Sequence, residues 1–215
     1  MKIMKSIIAA ILVLLLSGNT ALAAVEVTEP QSETADITVK STYEYASEWG
    51  YKYLIAVCEN NTNHDLEVSW DTISYDASGG ILETGSSYSA YVAGGQLFTL
   101  YALFLNSANA ADYQYKIRYE DASFIMPVYN DVTLEDEIAS NGKLIISATN
   151  KSNYDINTVQ AAVLFFDDTD NLVGFEDTYI VNSNYNVEAG ETVVKDLNPP
   201  EESKRYEIYY TAYRY

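Results

Sequence analysis

Cysteine, histidine and basic side chains are all scarce in this chain of 215 residues, and each shortage closes a route. The single cysteine, Cys58, has no partner for an internal disulfide, so the fold must stand on apolar packing without the bridges that small exported domains often use. The single histidine, His64, leaves little room for a Ser-His-Asp or Cys-His arrangement, which needs an imidazole beside the nucleophile, and too few His and Cys ligands for a zinc site. Only 12 Lys and Arg stand against 31 Asp and Glu, a formal net charge of −19. That sign repels phosphate backbones and anionic headgroups, so nucleic acid and membrane surfaces are not expected partners.

Long apolar runs are also missing, apart from one at the start. Lys2 and Lys5 precede an apolar stretch from Ile7 to Leu16, and Ala21-Leu22-Ala23 follows ahead of Ala24. Charge, a short apolar segment and small residues are the plan of a secretory signal peptide, assigned here to residues 1–23. The apolar part is shorter than the roughly 20 residues a spanning helix needs. Removing it leaves 10 basic against 31 acidic residues, or 10 − 31 = −21. The expectation is an exported protein, free or associated with the cell surface, with no membrane insertion of the mature chain. Residues 24–35, with Glu26, Glu29, Pro30 and Glu33, read as a disordered N-terminal segment.

What is present is a repeat. Asn60-Asn61-Thr62-Asn63-His64-Asp65-Leu66 matches Asn150-Lys151-Ser152-Asn153-Tyr154-Asp155-Ile156, at an offset of 90 residues. One inserted residue later, Tyr75-Asp76-Ala77-Ser78-Gly79-Gly80 matches Phe166-Asp167-Asp168-Thr169-Asp170-Asn171, and Tyr115-Lys116-Ile117-Arg118-Tyr119 matches Tyr206-Glu207-Ile208-Tyr209-Tyr210. The opening Asp36-Ile37-Thr38-Val39 resembles Asp131-Val132-Thr133-Leu134, and Val92 to Gln96 resembles Val187 to Glu191. Such a period is too long for a solenoid unit and close to the roughly 100 residues of a small β-sandwich.

Each copy alternates short apolar runs with Asn, Asp, Gly and Ser, the pattern of strands and turns, and no window keeps helical spacing. In the second copy, strands are expected over Lys143 to Thr149, Thr158 to Asp167, Leu172 to Phe175, Thr192 to Val194 and Tyr206 to Tyr213. Asp167 to Asn171 forms a tight turn, because Asp and Asn side chains satisfy nearby backbone donors. About seven strands per copy imply an all-β protein of two tandem sandwiches, residues 36–121 and 122–215. Phe124-Ile125-Met126-Pro127-Val128, between the copies, is apolar and not Gly/Ser-rich. It reads as a short connection at an interdomain seam or at the second sandwich's edge, where a proline is tolerated.

The block Leu144 to Ser152, followed by Val163-Leu164-Phe165-Phe166-Asp167 and Leu172-Val173, resembles the FxLYD domain family: an apolar strand, Asn-x-Ser/Thr, then an aromatic-aliphatic strand ending in aromatic-Asp before a turn. Val163 stands where the family has Phe and Phe165 where it has Leu. In the first copy Thr72 and Ser74 take those places, and Tyr75-Asp76 keeps the ending. The resemblance implies immunoglobulin-like or fibronectin-III-like sandwiches of bacterial exported proteins, with no established catalysis.

No constellation requires chemistry. Cys58, inside Leu54 to Cys58, reads as a buried small hydrophobe. His64 is replaced by Tyr154 in the other copy, so it reads as a loop aromatic. A glycosidase needs two carboxylates about 5–10 Å apart in a cleft, which small sandwiches seldom enclose. Asp167 to Asn171 has the carboxylate density of a calcium loop, but it lacks the downstream bidentate Glu, and its counterpart Asp76 to Gly80 keeps one carboxylate; turn chemistry accounts for both copies. No catalytic, cofactor-binding or metal-ligating residues are therefore assigned.

The 20 tyrosines pose the surface question. Tyr206 and Tyr210, with Tyr115 and Tyr119, fall on one strand face and Tyr209, Tyr213 and Tyr215 partly on the other. One face is expected in the core; the other is either a half-buried sheet surface or a recognition surface. The expected function is a secreted, non-catalytic binding, adhesion or structural module with a protein or glycan ligand. The alternative is a carbohydrate-binding protein in which Trp49, Trp70 or outward tyrosines form a stacking platform.

Overall fold

A computed structural model describes residues 36–215, so the expected leader (1–23) and N-terminal segment (24–35) lie outside the described residues. The described chain is all-β. Its strands are β1 (Ile37–Ala46), β2 (Lys52–Asn60), β3 (Leu66–Tyr75), β4 (Ile81–Thr84), β5 (Ser86–Ser87), β6 (Ala90–Val92), β7 (Leu97–Phe104) and β8 (Asp112–Asp121). Then follow β9 (Met126–Pro127), β10 (Val132–Ile138), β11 (Leu144–Asn150), β12 (Thr158–Phe166), β13 (Leu172–Tyr179), β14 (Thr192–Leu197) and β15 (Arg205–Arg214). A single 3-10 turn, Tyr129–Asp131, is the only helical piece among the described residues. β13 and β14 run further than the sequence pattern marks, because cross-strand partners extend the ladders past the apolar residues.

All pairings are antiparallel. In the first half β1-β2-β7-β5 form one sheet, and β3 forms another with β8 on one side and β4 and β6 on the other. In the second half β10-β11-β14 face β13-β12-β15-β9. Each pair of sheets closes on its own core: Leu54, Cys58, Trp70, Phe98 and Phe104 in the first half, Leu144, Ile146, Val163 and Phe165 in the second. Pro127 sits in β9 at the outer edge of β15, where its missing N–H leaves no ladder bond unmade.

A third cluster joins the halves. Ile55 and Val57 from β2 meet Leu164 and Phe166 from β12, with Tyr43, Tyr53, Tyr101, Phe175 and Tyr209 packed around them. β2 and β12 are thus covered on both faces. That explains why Leu54 to Cys58 and Ala161 to Phe166 read as unbroken apolar runs while β3 and β11 alternate. Burial of each of these four aliphatic and aromatic side chains contributes about 1.5–3 kcal/mol, so the halves are held as one body.

The repeated Asn-x-Ser/Thr is a structural device. Asn60 is fully buried, and its Nδ2 donates to the carbonyls of His64 (2.9 Å) and Ala93 (3.0 Å). Its Oδ1 accepts from the backbone N–H (3.0 Å) and hydroxyl (2.7 Å) of Thr62. Asn150 repeats this with Tyr154 O (2.7 Å), Val187 O (2.9 Å) and both donors of Ser152 (2.9 and 2.7 Å). Gly95 and Gly190, at φ of 75° and 77°, donate their N–H groups to the carbonyls of the same two asparagines.

Candidate functional site

The best-formed concavity opens at one margin of the seam. Tyr101 on β7 reaches across it, and its hydroxyl donates to Asp177 Oδ2 at 2.7 Å. From β12, Gln160 Nε2 donates to both oxygens of the same carboxylate, at 2.8 and 3.0 Å. Alternation places Phe175, Asp177 and Tyr179 of β13 on the face turned to the first half, so the carboxylate lies among aromatic rings. Phe175 packs edge-on against Tyr101 at 5.3 Å and near Tyr53 at 5.6 Å, which braces the Tyr101 ring.

Tyr88, in the segment that crosses from β5 to β6, packs near Tyr101 with ring centroids 6.3 Å apart. Its ring is nevertheless 73% exposed, and Tyr179 is 53% exposed. Thr99 and Thr211 add hydroxyls to the walls. About 430 Å³ of empty space, partly open to solvent, lies among these residues. Burial, and then the Asp177 carboxylate, push the Tyr101 hydroxyl well above the ordinary tyrosine value, so it stays protonated as a donor. Tyr179 is also raised, by burial first and then by Tyr213, Asp177 and Tyr88.

The tyrosines serve mainly elsewhere than on an open platform. Tyr206 and Tyr210 pack on the second core, and Tyr113, Tyr115 and Tyr119 on the first. Tyr209 lies in the seam, and Tyr213 stacks near Tyr91 at 5.2 Å, across the two halves. Many of their hydroxyls donate to carboxylates: Tyr119 to Asp36 (2.7 Å), Tyr206 to Asp136 (2.5 Å), Tyr209 to Glu207 (2.8 Å) and Tyr154 to Asp131. In a chain short of Lys and Arg, tyrosine is the donor that satisfies many acidic groups.

The two tryptophans part company. Trp70 is 2% exposed, packed against Tyr115 in the first core, and has no place in a surface platform, which corrects that part of the carbohydrate alternative. Its position on β3 faces inward because the core-facing residues of that strand are the even-numbered ones. Trp49 is 83% exposed at the tip of the β1–β2 hairpin, outside the residues that line the groove.

Cys58 is fully buried in the first core, and desolvation pushes its thiol up to about 12, so it packs as a hydrophobe. His64 is exposed beside Asp36, Asn61, Tyr119 and Asp121, and the neighbouring Thr62 hydroxyl already donates to Asn60. Around Asp167 the N–H and hydroxyl of Thr169 and the N–H and amide of Asn171 all point at the carboxylate, at 2.8 to 3.0 Å. Asn171 first, and then these other donors, hold the Asp167 carboxyl down at about 2. These bonds build a tight turn, and Asp76 takes three of the four from Ser78 and Gly80 in the other copy. Among the described residues no group of three or more His, Cys, Asp or Glu is arranged to hold a metal ion, and no helix is long and apolar enough to cross a membrane.

Sequence reasoning missed Tyr88, Gln160, Asp177 and Tyr179. A faint signal exists for two of them. Gln160 is the one strongly polar residue between Val159 and Phe166, and Asp177 interrupts the outward pair Phe175 and Tyr179. Nothing local shows that the two meet.

No protein-family model and no curated protein matches the chain. Among solved structures, it is similar to a transglutaminase of red sea bream at 8% identity and a TM-score of 0.25, over 83% of this chain and 29% of that one. It is also similar to the N-terminal CBM22-1–CBM22-2 tandem domain of Paenibacillus barcinonensis Xyn10C at 9% identity and a TM-score of 0.18, over 84% and 86% of the two chains. Likenesses of this strength carry no argument about function.

Proposed function

We propose that the chain is an exported, non-catalytic binding or adhesion protein, a tandem of FxLYD-like sandwiches of immunoglobulin type locked into one unit, with its ligand seat in the groove at their seam. The observation that carries this is the convergence of Tyr88, Tyr101, Gln160 and Asp177 on one open concavity, with the exposed Tyr179 beside Tyr88 and Asp177 at its margin. Ligand sites are typically concave and largely aromatic, with a few placed polar groups. A groove between two fixed bodies also keeps its shape without ligand, which lowers the ordering cost of binding.

The test is saturable attachment of the labelled, exported chain to intact producing cells and their extracellular material. Attachment that is lost in the Tyr88→Ala/Tyr179→Ala double variant, with an unchanged thermal unfolding midpoint, supports the assignment. Both rings are largely exposed, so the variant folds. Attachment that survives the double substitution overturns the groove as the seat, and no attachment at all overturns the binding role.

A further inference from the structure

Resting on the groove as the binding seat, we infer that its ligand is a neutral saccharide, held with a pyranose face against Tyr88 or Tyr179 and one hydroxyl directed to the Asp177–Gln160 pair. Three features select this class.

The first is sign. With 31 acidic against 12 basic residues in the chain, and Glu176 next to Asp177, an anionic ligand such as a phosphate or a uronic acid is repelled from the mouth.

The second is hydrogen-bond capacity. A carboxylate offers about four acceptor positions. Asp177 already accepts three bonds, one from Tyr101 and two from Gln160, which leaves it room for about one more donor. A single sugar hydroxyl fits that position. Gln160 and Thr211 line the same concavity beside Asp177 and offer a sugar hydroxyl further hydrogen-bond partners.

The third is shape. The concavity is open to solvent beside the exposed Tyr88 ring, so a sugar ring can lie on that face while one hydroxyl reaches inward to Asp177. The C–H face of a pyranose is apolar and flat enough to cover an aromatic face, and a tyrosine ring loses little entropy on being covered.

The experiment is calorimetric titration of the exported chain with neutral hexose and N-acetylhexosamine oligosaccharides and with their uronic-acid counterparts, at low and high salt. The expected result is saturable binding of at least one neutral oligosaccharide that is insensitive to salt, and none of the uronic series. Tyr179→Ala or Tyr88→Ala should weaken that binding about tenfold, the scale of one lost aromatic contact, and Asp177→Asn should weaken it comparably. Trp49→Ala should leave it unchanged. Failure of every neutral oligosaccharide, or affinity undiminished in both Tyr179→Ala and Asp177→Asn, overturns the inference. If cell attachment is lost in the double variant while no saccharide binds, the saccharide class is wrong and the binding role stands. Salt-sensitive attachment in that case points to a cationic protein partner.

Discussion

The same strand has opposite fates in the two copies. Ile55 and Val57 of β2 correspond to Ile145 and Ser147 of β11, and Ala162, Leu164 and Phe166 of β12 to Asp71, Ile73 and Tyr75 of β3. In β2 and β12 these outward residues are buried in the seam; in β3 and β11 they face solvent, and Asp71 pairs there with Arg118. The first half therefore presents one sheet of the shared unit and the second half presents the other. Such a head-to-tail contact has no built-in closure and would continue if further faces were apolar. It ends here because the outermost faces carry Glu67, Asp71 and Arg118 at one end and Glu135, Glu137 and the Lys143–Asp196 pair at the other. Outward positions that differ between the matched segments thus separate the faces that dock from the faces that meet solvent.

That contrast can be broken most sharply in the seam. Phe166→Ala should cost about 3–5 kcal/mol of unfolding free energy, and Tyr75→Ala, at the matching position, about 1 kcal/mol, both read from denaturant midpoints. Similar losses at the two positions would sink the distinction. Because the halves share this cluster, the parent chain should unfold in one transition by both fluorescence and circular dichroism.

The next effect sharpens what the copies have in common. Asn60→Ala and Asn150→Ala each strip the partners from several buried backbone groups and should cost about 2–3 kcal/mol, agreeing within about 1 kcal/mol. A marked inequality would show that one loop has found another means of support.

A smaller effect concerns alkali. Hydrogen bonding to Asp136, then burial, raises Tyr206 from 10.0 to about 12, and Tyr101 is raised by burial and Asp177. A folded-state value above the unfolded one means the associated stability is complete below the ordinary value near 10 and is lost as pH rises through about 12. A tyrosinate absorbance titration should therefore show an early class, and a late class that ionises together with loss of the circular dichroism signal. Titration of every tyrosine near its ordinary value, with the fold intact, would contradict the tyrosine–carboxylate bonds.

The smallest effect separates the tryptophans. Trp49→Ala should change stability by less than about 0.5 kcal/mol and leave a blue-shifted emission from buried Trp70. A residual emission at solvent-exposed wavelengths would place Trp70 outside the core.

Much of the fold was legible in the residues. Turn chemistry at Asp76 and Asp167, alternation in β3 and β11, and the repeat itself are properties of short stretches, and they appear as such. The unbroken runs in β2 and β12 also carried a sign that both faces are covered. The groove was not legible, since Tyr88, Gln160 and Asp177 come from three distant segments and meet only across the seam. The tyrosines misled for a related reason. A tyrosine on an outward strand face suits a recognition surface, a half-covered sheet and an interface equally well.

By itself the sequence determined an acidic all-β chain with matching internal segments, short of the histidine and cysteine that most triads and zinc sites use. Periodicity, turn residues and composition are local or additive, so they need no partner to be seen. The tertiary structure alone decided which outward faces meet, that Trp70 is core while Trp49 stands in solvent, and that one carboxylate, one amide and the exposed Tyr88 ring share a groove. Those outcomes depend on the docking of two sheets from different copies, and the free energy of that docking is a sum over pairs of residues far apart in the chain.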